Sequence, residues 1–181
     1  MSEEVLDKTP GKNFLQTIAE VTSGLMGHDL LLETAKQITI HLGMKYCFVA
    51  ECANDDKTRL RTVVFVDGEN VLDNIEYNTN ESGCQMMMNG DTFFLPAGAQ
   101  QRFSGAKGIE AYVGAPIMSP VTGEVLGHIA ATHPKPVTNE KDQTGQNSHF
   151  RSVCGRCMAK HRSWNGYGGL YRKRIAGQGN Q

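Results

Sequence analysis

The hydrophobic pattern changes period at Gly43, and that change limits the chain to folds in which helices feed directly into paired strands. Upstream, Leu31, Ala35, Ile38 and Leu42 recur at i, i+4, i+7 and i+11, one stripe of an α-helix. Phe14, Ile18, Val21 and Leu25 repeat that spacing within Asn13 to Met26, with Thr9-Pro10 just ahead. Asp29 is the expected N-cap of the second helix and Gly43 its stop. Downstream the period falls to 2: Tyr46-Cys47-Phe48-Val49-Ala50 reads as a strand, Asn54-Asp55-Asp56-Lys57 as a turn, and Leu60 to Val66 as the returning strand of a hairpin. Two more apolar runs, Ile109 to Ile117 and Val125 to Thr132, flank Ser119-Pro120-Val121-Thr122-Gly123-Glu124. That turn chemistry predicts a second, buried hairpin.

Between the hairpins, Asn70 to Gly108 shows little periodicity. Asn74 to Asn78 reads as a short strand, Ser82 to Met88 as a short helix, and Thr92 to Leu95 as a strand that Pro96 ends. A connection this long is usually functional or disordered. Its content of Met86, Met87, Met88, Phe93, Phe94, Leu95 and Phe103 argues against disorder. Methionines adapt to irregular space, so the segment suits the roof of a small-molecule pocket as well as simple core filling. A last helix is expected to start at Thr138-Asn139-Glu140-Lys141-Asp142, with Thr138 as N-cap and acids in the first turn. Two helices, five or six strands and this final helix make an α+β domain with an antiparallel sheet.

Charge divides the chain in two. From Gly145 to Gln181 there are seven basic residues and no acidic one, whereas the first 144 residues carry 11 basic and 19 acidic groups. The tail is rich in glycine and poor in large aliphatics, so residues 145–181 are expected to be disordered, or else non-native in sequence, as a reading-frame change near Thr144 would make them. Cys154-x2-Cys157-x3-His161, with His149 upstream, offers four metal-ligand side chains in a spacing that matches no zinc module. The run Trp164, Tyr167, Tyr171, Arg172-Lys173-Arg174 is better read as a solvated tail than as a nucleic-acid surface. The five cysteines, an odd number, follow a polar, acidic start rather than a secretory leader, so a cytoplasmic protein is expected. No apolar run reaches the length of a membrane span.

Several segments resemble those of GAF domains, the small regulatory ligand-binding modules of signalling proteins. They are Leu42-Gly43-Met44-Lys45-Tyr46 running into Cys47-Phe48-Val49-Ala50, and Ser82-Gly83-Cys84-Gln85. More specific are Gly108-Ile109-Glu110-Ala111-Tyr112-Val113-Gly114-Ala115-Pro116-Ile117 and Thr122-Gly123-Glu124-Val125-Leu126-Gly127-His128-Ile129. The resemblance covers about Asn13 to Gln143, giving a domain over residues 1–144. It implies a GAF-like fold of the profilin/PAS-like kind: a twisted antiparallel sheet of 5–6 strands, helices and a dimer interface on one face, and a pocket roofed by about Asn70 to Gly108 on the other.

The resemblance also directs the search for site residues. Bilin-binding members attach the chromophore through a cysteine where this chain has Ala97-Gly98-Ala99-Gln100-Gln101-Arg102-Phe103, so no covalent bilin is expected. The spaced Asn-Lys, Phe and Asp-Glu set of cyclic-nucleotide members is absent. Cys84 follows Gly83 much as a cysteine of the free methionine sulfoxide reductases follows a glycine, but their second cysteine motif is missing between Leu95 and Gly108. Cys47 reads as a buried, inert thiol on the strand face opposite Cys52, and His128 and His133 point to opposite faces, so they do not share a metal.

The expected function is a sensory, small-molecule-binding domain of bacterial signal transduction, acting through ligand-biased dimer packing beside kinase or cyclase and diguanylate-type effector domains such as those of a histidine kinase. A thiol reductase and a ligandless dimerisation module are the alternatives. The ligand is left open. The candidate pocket residues are Tyr77, Cys84, Met87, Phe94, Phe103, Tyr112 and Thr132; no catalytic or metal-binding residue, no nucleic-acid partner and no membrane span is expected.

Overall fold

The computed structural model describes residues 14–80, 82–119 and 121–137. Helix α1 spans Phe14–Val21 and α2 spans Gly27–Leu42. The first helix is shorter than its apolar stripe, because the chain turns through Gly24 at φ +85°. Helix α2 begins two residues before the predicted cap: Asp29 lies within the first turn, and Met26 holds the N-cap position without a side-chain hydrogen bond. Its other end is as read. Gly43 takes the left-handed conformation and its N–H reaches the Thr39 carbonyl.

Seven strands follow among the described residues: β1 Tyr46–Cys52, β2 Arg59–Asp67, β3 Asn70–Val71, β4 Glu76–Asn78, β5 Phe93–Leu95, β6 Ala111–Met118 and β7 Val125–His133. All pairings are antiparallel, in the order β3-β2-β1-β7-β6-β5, with β4 also on β2. Both predicted hairpins are present. Joining β1 to β7 makes them one sheet, with Lys45 N–H bonding to the Thr132 carbonyl at 3.1 Å beside that seam. The strand beyond the expected five or six is β3, too short for a periodicity to reveal it. Two short helices, α3 Cys84–Met88 and α4 Ala99–Arg102, complete the described elements, and α4 has no counterpart in the sequence reading.

Both sheet faces are covered. On the helix face, Ile18, Leu31, Ala35 and Ile38 pack against Cys47, Val49, Val64, Val66, Val113 and Ile129. On the other, the segment between the hairpins folds over Ala50, Leu60, Tyr112 and Ala130 with Cys84, Met87, Phe93 and Ala99. Two glycines set how closely these layers approach. A Cβ at Gly114 would collide with the Met87 thioether, so the absent side chain seats α3 on β6. A Cβ at Gly127 would run into the Ala50 carbonyl of β1 and lie 3.1 Å from the Glu51 Cα. No helix among the described residues is long and apolar enough to cross a membrane. The expected helix start at Thr138 and the basic tail, with its cysteines and histidines, lie outside the described residues.

Candidate functional site

A cavity of about 730 Å³ opens between the sheet and the segment that covers it. Aromatic rings of β1 and β2 form one wall. Phe48 lies edge-on to Phe65 at 5.8 Å, to Tyr77 at 6.2 Å and to the His128 imidazole at 5.8 Å, and Phe65 continues to Tyr46 at 6.1 Å. A bulge brings this wall together. Val49 pairs with Val64 but Ala50 with Thr62, so Val63 is an extra residue in β2. Phe65 on one side of it and Thr62 on the other consequently both face the cavity despite opposite parity.

The buried end holds a hydrogen-bonded group drawn from four elements, α3, β4, β6 and β7. Cys84 Sγ donates to Tyr77 Oη at 3.7 Å and shares a hydrogen bond with Tyr112 Oη at 3.0 Å; Tyr77 Oη lies 3.2 Å from His128 Nε2. With the Cys84 S–H directed at Tyr77 Oη, Tyr112 donates to Sγ and Tyr77 donates to His128. The imidazole then carries its own proton on Nδ1, a fully buried atom without a hydrogen-bond partner among the described residues. Burial makes every member neutral. It pushes His128 down to about 3 and raises Tyr77 and Tyr112 well above the usual phenol range. It raises the Cys84 thiol too, against the opposing hydrogen bonds from Ser82, Tyr112 and Tyr77.

Of the candidate residues, Tyr77, Cys84, Tyr112 and Thr132 line the cavity together. The other three sit elsewhere. Met87 is fully buried in its seat against Gly114, behind the lining. Phe103 stacks among Phe93 and Tyr112, with centroids at 5.5 and 6.5 Å, and supports Tyr112 from outside the cavity. Phe94 is on the far face, against the helix-side core, because it alternates with Phe93 along β5. Residues that sequence reasoning missed include Phe48, Phe65, Thr62, Ile75 and Ile109. The signal for Phe48 was present: β1 is apolar at both parities, the mark of a strand covered on both faces.

Other thiols and imidazoles fall as read. Cys47 is fully buried on the helix face, its pKa raised by burial, while Cys52 packs on the cavity side. His128 faces the cavity-side core and His133 bonds the backbone of Lys135 at 3.0 Å. No group of three or more metal-ligating side chains occurs among the described residues.

The seven-stranded antiparallel sheet with α1 and α2 on one face and a roofed, aromatic cavity on the other is the layout of a regulatory, ligand-binding type of domain whose family model matches this chain. The chain belongs to the GAF domain family, whose model matches residues 27–145. Among solved structures, it resembles the GAF domain of an Acinetobacter phosphoenolpyruvate-protein phosphotransferase, with TM-score 0.61 and 17% identity over 88% of this chain and 93% of that one. It resembles the free methionine-R-sulfoxide reductase of Neisseria meningitidis, solved with its substrate, with TM-score 0.61 and 14% identity over 82% and 88%. It also resembles the phycocyanobilin-bound GAF domain of a cyanobacterial phytochrome, with TM-score 0.59 and 13% identity over 82% and 93%. At such identities the likeness is one of fold. No curated protein matches the chain.

Proposed function

We propose that this GAF domain is a sensor that binds a small molecule in the cavity under the Asn70 to Gly108 segment and passes its occupancy to a homodimer interface on the helix face. The observation that carries this reading is the cavity itself. Its volume of about 730 Å³ lies within the size range of sites for drug-sized ligands, and its walls are mainly aromatic and aliphatic with few polar groups. A ligand that contacts the roof better in one arrangement than another shifts the population toward that arrangement. Met87 against Gly114 and Tyr77 on His128 tie the roof to β6 and β7, the strands whose opposite face packs on the helix-side core. The exposed apolar residues Val21, Met26 and Ile40 lie on α1, α2 and the turn between them, and suit a dimer contact. Cytoplasmic kinase or cyclase-type effector domains fit such an output.

The thiol-enzyme alternative is less well supported. Cys84 is nine-tenths or more buried, with its pKa raised rather than lowered, the opposite of an activated thiolate.

The test is thermal unfolding of the full chain with fractions of a small-molecule lysate extract, beside Ile75→Trp, which places bulk at the half-exposed mouth. A fraction that raises the midpoint of the parent chain but not of Ile75→Trp supports the pocket. Equal shifts in both, or none with any fraction, count against it.

A further inference from the structure

Resting on the pocket reading, we infer that the ligand is a planar aromatic monocarboxylate, seated ring-first, with its carboxylate at the rim beside Lys107, Asn78 and Asn80 and one small polar substituent at Thr132. The argument is an inventory of what the lining can still offer. The inner polar groups are already committed to one another. Cys84, Tyr77 and Tyr112 form the chain that ends on His128. Thr62 Oγ1 donates to Asn74 Oδ1 at 3.0 Å and accepts the Ile75 N–H at 2.8 Å. Ser82 Oγ donates to the Thr79 carbonyl and accepts from Cys84 N–H, both at 3.3 Å.

Apart from Thr132, the described lining residues of the buried end therefore offer no spare donor for an anion, His128 with its unbonded Nδ1 lying outside the lining, and taking a carboxylate there would leave a charge buried and unpaired. Its aromatic surfaces, Phe48, Phe65, Tyr77 and Tyr112, match a ring instead. Thr132 is the exception. It is 2% exposed, lines the cavity, and has no side-chain hydrogen bond among the described residues. It can pair with one ring hydroxyl or ring nitrogen.

The rim has the opposite character. Asn78, Asn80 and Lys107 are exposed lining residues. Lys107 is the one formal charge among the described lining residues and pairs with no carboxylate among the described residues. Among the described residues the Asn80 amide uses only its oxygen, as acceptor from Thr79, which leaves its N–H groups without a described partner. A rim whose one described formal charge is a cation, with two exposed amides on the same cavity, favours one carboxylate and repels an ammonium group.

The probes are 6-hydroxy-2-naphthoate, its neutral amide, the corresponding methylammonium compound and unsubstituted 2-naphthoate, titrated by calorimetry against the full chain. The hydroxynaphthoate is expected to bind best, ahead of its amide by about fivefold and of the ammonium compound by more. Lys107→Ala should remove most of the preference for acid over amide, and raised salt should shrink it. Thr132→Val, close in shape, should erase the advantage over 2-naphthoate while leaving affinity for 2-naphthoate unchanged. Glu81 falls between two lining residues in sequence but outside the described residues, so Glu81→Gln is titrated in parallel, and the acid preference should hold there too.

Acid, amide and ammonium binding alike, or a preference that survives Lys107→Ala, overturns the assignment. The pocket reading then stands if Ile75→Trp still blocks the probes. Failure of every naphthalene probe also overturns the aromatic-acid assignment, while a lysate fraction that stabilises the parent chain but not Ile75→Trp upholds the pocket independently.

Discussion

His128 is the residue whose environment makes the sharpest demand. Its ring is fully buried, bonded through Nε2 to Tyr77 and, among the described residues, unpartnered at Nδ1. Burial holds its native pKa at about 3, against an ordinary value of 6.5. The unfolded chain therefore takes up a proton at this site below pH 6.5 while the native chain does not, and stability falls as pH drops from about 6.5 toward 3. The limiting slope from one such group is about 1.4 kcal/mol per pH unit. Urea unfolding of the parent chain and His128→Phe at pH 7.5 and 5 should show the parent losing more stability on acidification. Equal losses would mean that His128 is protonated in the native state. Cysteine reactivity is a second check at this scale. In a Cys154→Ser, Cys157→Ser background, half-buried Cys52 should react with a thiol reagent before Cys84, and Cys47 last, following their burial.

Among the elements, the roof-to-sheet seat and the β1–β7 seam behave differently under the same substitution. Gly127→Ala puts a methyl group into the backbone of β1, which cannot swing aside, and should cost about 3 kcal/mol. Gly114→Ala displaces only the tip of Met87, a flexible side chain, and should cost less. Combining Gly114→Ala with Met87→Ala should destabilise by about 1 kcal/mol less than the two changes added, since the second removes what the first collides with. Denaturant melts of the four variants would check both statements. Strict additivity would contradict the seat.

These elements also show how far the sequence could be read. Helix α2, both hairpins and the short strands around Tyr77 and Phe94 announce themselves through period and turn chemistry. The start of α2 does not, because Asp29 offers a capping side chain that the chain leaves inside the first turn. The bulge at Val63 is equally silent: alternation gives Thr62 and Phe65 opposite faces, and only the pairing of β1 with β2 brings both to the cavity. Tyr77, Cys84, Tyr112 and Thr132 were within reach because each lies in the roof or on a strand that the GAF resemblance marks. Phe94 was misplaced because its strand is three residues long and its face cannot be fixed from such a short alternation.

At the scale of the whole molecule, pocket and dimer belong to one proposal: roof on one side of a sheet, exposed apolar helix residues on the other. Ile40, about half exposed on α2, is the natural point to break the contact, and Ile40→Lys should shift the chain from dimer to monomer in light scattering without altering its far-ultraviolet spectrum. A parent chain that is already monomeric would sink the dimer mechanism. The most direct measurement is native mass spectrometry of the full chain and of Ile75→Trp, each incubated with the small-molecule fraction of a lysate and exchanged into volatile buffer. A dimer carrying a defined small molecule in the parent chain, absent from Ile75→Trp, is the predicted result. The same adduct on both proteins, or a parent chain that takes up nothing, would contradict the claim that the cavity under the roof is the site to which this GAF domain responds.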